Sequence, residues 1–365
     1  MADYDLAIIG AGMAGASLAA EVGPHARVLV VEAEDMPGYH TTGRSAAFWE
    51  ECYGGPAIVP LSRASESYLR EGDFLSQRGA LYIGHREDAA KLDAFEDRFK
   101  GTGARFERLP SGAAQARVPS LLPEWCEAIW QPHCADIDVA SLHQHYLKAA
   151  RRAGVELVTR ARVEMLERGG EGWLLRAADG REWRARAMAN AAGAWADTIA
   201  GLAGAMPLGI QPLQRTMLQL RADPALAKDG PLTLDISGRF YFKPESGNAM
   251  WFSPHDETPM PPSDAVPEEL AVAQALDLFG RVFDARITQV ERTWAGLRSF
   301  APDRKPVIGW DPQAAGLFWF AGQGGFGIQT APAAARLAAQ LFLDAPRDAM
   351  TQALDAQGFA PARFG

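Results

Sequence analysis

The sequence predicts an α/β protein in which a nucleotide-binding domain with a parallel sheet is joined to a second domain on a mainly antiparallel sheet. Three observations carry this. Residues 4–32 run apolar stretch, glycine turn, helix, apolar stretch, the order of a βαβ unit. An alanine run with Gly193 follows at residues 187–195, and a glycine loop at 323–327. Between residues 208 and 285, short apolar runs alternate with turns rich in Pro, Asp and Gly, as in an antiparallel sheet.

The first unit is the most specific. Gly10, Gly12 and Gly15 form G-x-G-x-x-G between a strand at residues 6–9 and a helix, and residues 28–31 form the neighbouring parallel strand of a Rossmann-type unit. Gly10 permits a tight turn, Gly12 lets backbone approach a pyrophosphate, and Gly15 lets the helix lie close to the strand. The first helical turn, with Met13 and Ala14, faces the phosphates, where the helix dipole favours negative charge. Glu32, followed by Ala33, ends the second strand where a carboxylate accepts hydrogen bonds from ribose hydroxyls.

A nicotinamide-type domain would continue into its next helix, but residues 33–56 form a polar, glycine-punctuated loop. Thr42, Gly43, Arg44, Ser45, Ala46 and Ala47 in it can lie along a long cofactor; the alternative is an ordinary surface loop. His40 is expected beside the cofactor rather than as a base. Helical spacing covers residues 57–69 and 88–99, with a short strand at 79–84, and residues 118–130 read as irregular until 128–131. Cys126, His133, Cys134, His143 and His145 show no zinc spacing, and His143 and His145 diverge on a helix, so no metal is expected.

Asp138 caps a helix that ends before Gly154, with Val139, Leu142, Tyr146 and Ala150 as its buried stripe. Strands follow at 155–159, at 161–166 with Val163 as a cofactor contact, at 173–175 and at 183–187. The run 187–195 reads as a strand that brings Gly193 to the cofactor, or else serves packing. Strand pieces at 216–220, 232–236, 240–243 and 250–252 make the sheet that carries the substrate, and a proline-rich link leads into a helix at 268–283. The chain closes with a strand at 317–321, a glycine loop at 323–327 and a helix capped by Thr330. A ligand touched at three separated places is long and its domain discontinuous, which favours FAD over NAD. The expected division is 1–80, 136–210 and 286–365 for the FAD domain, with 81–135 and 211–285 for the substrate domain.

Composition narrows the function classes. The 365 residues carry a net charge of -9 with a pI near 5.4 and no basic stripe, which argues against nucleic acid. No apolar run reaches the roughly 18 residues of a membrane span. The first strand lies so close to Met1 that no signal peptide is expected. Cys52, Cys126 and Cys134 are too scattered for a disulfide framework, so a cytoplasmic setting is expected.

Taken together, the glycine motif with Glu32, the segment GYHTTGRSAA, the run NAAGAW, the segment TWAGLRSF and the closing GQGGFGIQT resemble the FAD-dependent D-amino acid oxidase and dehydrogenase family. The nearest likeness is to the bacterial D-arginine dehydrogenases, and it covers nearly the whole chain. The resemblance implies noncovalent FAD, with substrate lying over the flavin beneath an antiparallel sheet. It implies that Arg215 and Arg298 hold the substrate carboxylate, that Tyr53 and Tyr241 cover it, and that the Gly325 carbonyl receives the amine. Gln329 matches a glutamine near the flavin ring, and the block Gly324, Gly325, Phe326, Gly327, Ile328 and Gln329 is expected along the cofactor. Two departures matter. Ala80 stands where D-arginine dehydrogenases carry a glutamate for the guanidinium, and Phe48 stands for a histidine, so neutral or apolar substrates are expected to be preferred.

The implied chemistry is oxidation of a D-amino acid to an imino acid by hydride transfer from Cα to flavin N5, followed by hydrolysis to a 2-oxo acid and ammonia. A guanidinium fork such as Arg298 suits a carboxylate through two parallel charge-assisted bonds. A quinone or oxygen would take the electrons. Two other readings stay open: a flavin enzyme for a 2-hydroxy acid or for a secondary amine such as sarcosine, glycine or proline, and a dinucleotide-fold binding protein without turnover.

Overall fold

The computed structural model describes residues 3–365; residues 1 and 2, where the nucleotide domain is expected to begin, lie outside the described residues. The strand Tyr4–Ile9 lies inside a sheet of eight strands among the described residues, parallel to Val28–Val31 on one side and to Glu182–Asn190 on the other. The parallel array extends to Glu156–Val158 and Leu317–Ala321. Both faces are covered, which is why residues 6–9 are apolar throughout rather than alternating. Leu6 and Ile8 enter a core shared with the helices Met13–Val22 and Gly327–Leu343. Ala7 and Ile9 enter another with Trp173, Leu175 and the helix Ala196–Leu202.

Among the described residues the second sheet has ten strands, all antiparallel except where Leu232–Asp235 runs parallel to Ala80–Gly84. Its spine is the pair Gln211–Asp223 and Arg286–Phe300, in contact from Gln211 opposite Phe300 to Asp223 opposite Arg286. The helix Glu269–Val282 closes one face by packing Ala275, Phe279 and Val282 against Leu218, Leu220 and Phe252. The opposite face carries Arg215, Met217, Tyr241 and Arg298 and borders a cleft whose far wall is the glycine turn of the first sheet.

Several expectations are corrected here. Arg286–Phe300 is hydrogen-bonded into the second sheet, so sheet membership changes near residue 300 rather than at 286; its first half is polar and largely exposed, which hides the strand pattern. The run 187–195 is strand only as far as Asn190, whose Nδ2 donates to the Ala196 carbonyl at 2.7 Å and turns the chain into a 3-10 turn at Gly193–Trp195. Thr330 is not a cap. The last helix begins at Gly327, and the Thr330 hydroxyl donates to the Phe326 carbonyl four residues back. Within residues 33–56, Phe48–Trp49 forms a short strand beside Ala135–Ile137, too brief to leave any periodicity. Asp138 does cap its helix, accepting from the Ser141 amide at 2.9 Å, but Val139 is half-buried while His143 joins the buried set.

Candidate active site

Gly10 has φ +102, and a Cβ there would meet the Ala191 carbonyl at 2.6 Å, so this turn requires glycine. At Gly15 a Cβ would stand 1.8 Å from the Gly10 carbonyl, so this glycine serves close helix packing rather than contact with a ligand. Gly12 differs: a Cβ there would meet Thr42 Oγ1 at 3.3 Å and nothing else within 4 Å, which leaves a cradle on the cleft side for a group approaching the backbone. Thr42 Oγ1 accepts from the Met13 amide at 2.9 Å, and Glu32 accepts from the amides of Ala11 at 2.7 Å and Glu34 at 3.0 Å. Beneath the turn, His143 Nε2 is 2.9 Å from the Ala11 carbonyl, and burial holds its pKa below the ordinary histidine value, which keeps the ring neutral. Sequence reasoning weighed His143 only as a metal ligand; its place under the turn has no local signature.

From this turn a cleft of about 470 Å3 runs to the second sheet. Met13, Ala14, Glu32, Ala33, Thr42, Arg44, Ser45, Ala46, Val163, Gly193, Gly324, Gly325, Gly327 and Ile328 line it with Gly10 and Gly12. Ala47 and Gln329 line a small adjoining pocket with Tyr53, Tyr241 and Arg298. Gly15, Gly43 and Phe326 face neither: the Gly43 amide closes a turn onto the Gly38 carbonyl, and Phe326 packs with Ile58, Leu213 and Phe300. Gln329 is 1 % exposed and has its amide engaged by protein, accepting from the Glu50 amide and donating to the Glu50 carbonyl and Ser62 Oγ. The helix Gly327–Leu343 also presents its N-terminus to the cleft, a second helix end suited to an electron-rich group. A long, mostly apolar cleft with two helix N-termini, a ribose-type carboxylate and an open glycine cradle fits a dinucleotide with a ring system at its inner end. At that end Gln323 Nε2 is buried and has no hydrogen-bond partner among the described residues.

The loop over the cleft is tied to the second sheet. Arg44 Nη1 donates to the carbonyls of Ala265 at 2.9 Å and Ala295 at 3.2 Å, its Nη2 pairs with Asp264, and its own carbonyl accepts from Trp294 Nε1 at 3.0 Å. Thr41 Oγ1 adds a bond to the Leu297 carbonyl at 2.6 Å.

Where the cleft meets the second sheet, residues far apart in the chain converge. Arg298 Nη1 donates to Tyr53 Oη at 2.6 Å, and Nη2 reaches Tyr241 Oη at 3.5 Å. A Cβ at Gly325 would stand 2.5 Å from Tyr53 Oη and 3.1 Å from Arg298 Nη1, so a side chain at 325 would collide with this pair. Arg215 is 3 % exposed; its Nε donates to the Asp256 carbonyl at 2.8 Å, Nη2 lies 3.4 Å from Glu257, and Nη1 has no partner among the described residues. Burial, and then the charge of Arg298, push the Arg215 pKa down. For Arg298, burial also pulls down but is outweighed by the Tyr53 and Tyr241 oxygens and the carboxylates of Glu257 and Asp256, so its pKa stands above the usual value. Arg304 shares Glu257 from the surface side. Arg215 and Arg304 thus pair with Asp256 and Glu257, while Arg298 is bonded to tyrosine hydroxyls and pairs with no carboxylate among the described residues, which leaves one positive charge in excess.

His255 lies against Tyr241, with ring centroids 5.6 Å apart, and its Nδ1 is 2.7 Å from the Gly238 carbonyl. Burial, followed by the charges of Arg215 and Arg298, pushes its pKa down to about 3. Asp256, Glu257 and His255 escaped sequence reasoning because they sit in a turn whose pattern predicts only a turn. Phe48 packs its ring edge-on to Tyr53 and Tyr241, in an apolar cluster with Ala80, Met217, Leu232 and Leu234.

The comparisons with known proteins agree with this geometry. The family described as FAD dependent oxidoreductase, DAO, matches residues 5–341. The chain is 24% identical over 411 residues to the hydrogen cyanide synthase subunit HcnC of Pseudomonas aeruginosa, across 99% of this chain and 96% of that protein. It is 24% identical to the glycine oxidase of Geobacillus kaustophilus, across 93% of this chain and 92% of that one, and the crystal structure of that oxidase superposes with a TM-score of 0.83 over 99% of this chain and 98% of its own. The L-proline dehydrogenase structure from P. horikoshii, 21% identical, gives a TM-score of 0.85 over 100% of this chain and 98% of that one. No helix among the described residues is long and apolar enough to cross a membrane. With a cradle that fits the dinucleotide and a family match over nearly the whole length, the chain belongs to the DAO family of FAD-dependent oxidoreductases, and FAD is its cofactor.

Proposed function

We propose that this enzyme oxidises the Cα–N bond of neutral, apolar D-amino acids, yielding a 2-oxo acid and ammonia. The observation that carries the reading is the single excess positive charge at Arg298 and Arg215, set beside an apolar wall. One substrate carboxylate neutralises that excess; a second acidic group would be left without a counter-charge. In this reading Arg298 takes the carboxylate through its fork, Arg215 Nη1 adds a donor, Tyr53 and Tyr241 cover the site, and the Gly325 carbonyl accepts from the amine. The flavin supplies the two-electron acceptor for the hydride leaving Cα. The imine product then takes up water and releases ammonia. The first sheet serves the cofactor and the second the substrate.

The wall supports a neutral side chain. Ala80 is fully buried against Phe48, and the nearby acids are already engaged. Glu51 pairs with Arg105 and Arg63, while Glu50 accepts from the Cys52 amide and Tyr82. A guanidinium placed there would lack a charge-assisted bond of about 1.5 to 3 kcal/mol, roughly ten- to hundredfold in kcat/KM. Neutral D-amino acids are therefore expected to exceed D-arginine in kcat/KM, and a steady-state survey with D-arginine in first place would refute this.

Resemblance over the full length to proteins named glycine oxidase and L-proline dehydrogenase favours a second reading, a small or secondary amine. A 2-hydroxy acid fits less well, because removing its hydroxyl proton needs a base and His255, at about 3, is a weak one. Anaerobic mixing with D-leucine, D-arginine, sarcosine, L-proline and D-lactate, followed by loss of the yellow flavin band, separates these readings. Bleaching by D-lactate alone would overturn amine oxidation, and bleaching by none would return the binding-protein reading.

A further inference from the structure

Glu50 is a carboxylate with 0 % exposure that lies outside both the cofactor cleft and the small pocket beside it. Burying a charge is costly unless it is well bonded, and Glu50 is. Its Oε1 accepts from the Cys52 amide at 2.8 Å and its Oε2 from Tyr82 Oη at 2.9 Å. Both partners are donors, the arrangement that an ionised carboxylate satisfies and a protonated one does not without reversing one bond. The main chain of Glu50 is gripped as well. Its carbonyl accepts from the Tyr53 amide at 3.2 Å and from Gln329 Nε2 at 3.1 Å, and its amide donates to Gln329 Oε1 at 3.2 Å.

These bonds make one connected path. Tyr82, on the strand Ala80–Gly84 of the second sheet, holds the carboxylate; the carboxylate holds the turn at residues 50–53; the turn carries Tyr53, whose hydroxyl accepts from Arg298. Gln329 joins the same turn to the first turn of the helix that borders the cofactor cleft. We propose that Glu50 is a positioning residue for the substrate site: by fixing the turn at residues 50–53 to the second sheet, its carboxylate sets the place of Tyr53 and, through it, the Arg298 fork. The inference rests on the reading of Arg298 and Tyr53 as the carboxylate site.

The pH behaviour follows from the neighbours. Glu50 is pushed up to about 7 by burial, against the Cys52 and Tyr82 hydrogen bonds that favour the charge and with Glu51 adding to the rise. Around it, burial raises Tyr82, Cys52 and Cys134, and the Glu50 charge raises each further, so these groups stay protonated near neutrality. Glu51 turns away to Arg105 and Arg63. The carboxylate is thus the group of this cluster that titrates near pH 7, and on protonation the Tyr82 bond must reverse or one donor must let go.

The test uses the FAD-loaded protein and benzoate, a plain monocarboxylate, with binding read from the visible spectrum of the flavin. Glu50→Ala should raise the benzoate Kd by roughly tenfold or more, through loss of charge-assisted bonds, with FAD content unchanged. Glu50→Gln, which keeps two hydrogen bonds if Tyr82 reverses, should restore most of the affinity and remove an inflection near pH 7 that the native protein shows. Tyr82→Phe, which breaks the tie from the other end, should raise Kd in the same direction and covers the case in which Glu50→Ala does not fold. Native-like benzoate affinity in Tyr82→Phe, or in a folded Glu50→Ala, overturns the inference. So does an affinity loss that follows FAD loss and that Gln does not rescue. If the native protein itself ignores benzoate while binding FAD, the substrate reading fails first, and this extension with it. As a check independent of turnover, the apo-protein of Glu50→Gln should lose the native dependence of Tm on pH between 5 and 8.

Discussion

In the proposed reading, Arg298 concentrates the substrate chemistry in one side chain. In Arg298→Ala the substrate carboxylate would sit buried and unpaired, a cost of about 2 to 5 kcal/mol, or roughly thirtyfold to several thousandfold in kcat/KM. Arg298→Lys should recover part, since an ammonium is a point charge in place of a planar fork. Near-native flavin reduction in Arg298→Ala, together with collapsed FAD loading, would show that the residue serves the fold. Glu50 bears on stability in the opposite sense. Its folded pKa of about 7 lies above the ordinary 4.5, so between those values the folded chain keeps a proton that the unfolded chain has released. Stability is therefore full below 4.5, falls as pH rises through about 7, and stays lower above it. Glu50→Gln should be more stable than the native protein at pH 8, by an order of 2 to 4 kcal/mol, and nearly equal at pH 4.5; equal melting curves at both values would contradict this. Arg298 was legible as a candidate because it sits in the segment TWAGLRSF, whereas Tyr53 and Tyr241 stand in no such motif and were candidates only through the family resemblance. The Glu50–Tyr82 bond spans 32 residues and has no periodicity to announce it, and Asp256 and Glu257, the partners of Arg215, read only as turn residues.

Among the elements, the loop at residues 33–56 separates what sequence shows from what it hides. Its polar composition and its Thr42 and Ser45 hydroxyls marked it as lying along the cofactor, and the structure sets it on the cleft wall. Its attachment by Arg44 to Ala265, Ala295 and Asp264 crosses more than 200 residues and depends on the second sheet being formed. Arg44→Ala should loosen this strap and raise the FAD Kd roughly tenfold, the scale of two or more lost hydrogen bonds. Quenching of flavin fluorescence on titration measures it, and an unchanged FAD Kd would show that the strap does not hold the cofactor. The βαβ unit at the start was fully legible because both faces of its strands are buried, a condition that writes itself into residues 6–9 and 28–31 as unbroken apolar runs. The strand Arg286–Phe300 was not, since exposure of its first half releases those positions to polar residues. Thr330 misled because a hydroxyl before an alanine-rich run resembles a cap, whereas here glycines start the helix earlier.

At the scale of the whole molecule, the pairing of a Rossmann-type FAD fold with a mainly antiparallel sheet could be read in advance, because three glycine segments far apart in the chain pointed to one long ligand. FAD is expected to be held noncovalently: Cys52, Cys126 and Cys134 do not line the cleft. Acid precipitation should release all yellow colour to the supernatant, and colour retained in the pellet would contradict this. Added FAD should raise the Tm of the apo-protein in a concentration-dependent way, by about 2.7 kcal/mol of stabilisation at a hundredfold excess over Kd. The strand Leu317–Ala321 and the helix Gly327–Leu343 pack against the strand Glu182–Asn190 and the helix Met13–Val22, so segments about 300 residues apart share one core. The order of synthesis then has a bearing on assembly. A nascent chain carries its phosphate turn about 300 residues before it acquires the helix that ends at residue 343 and borders the other wall of the cleft. Ribosome-bound chains stalled before residue 317 should fail to retain FAD, while those extended past the last helix should acquire it in one step.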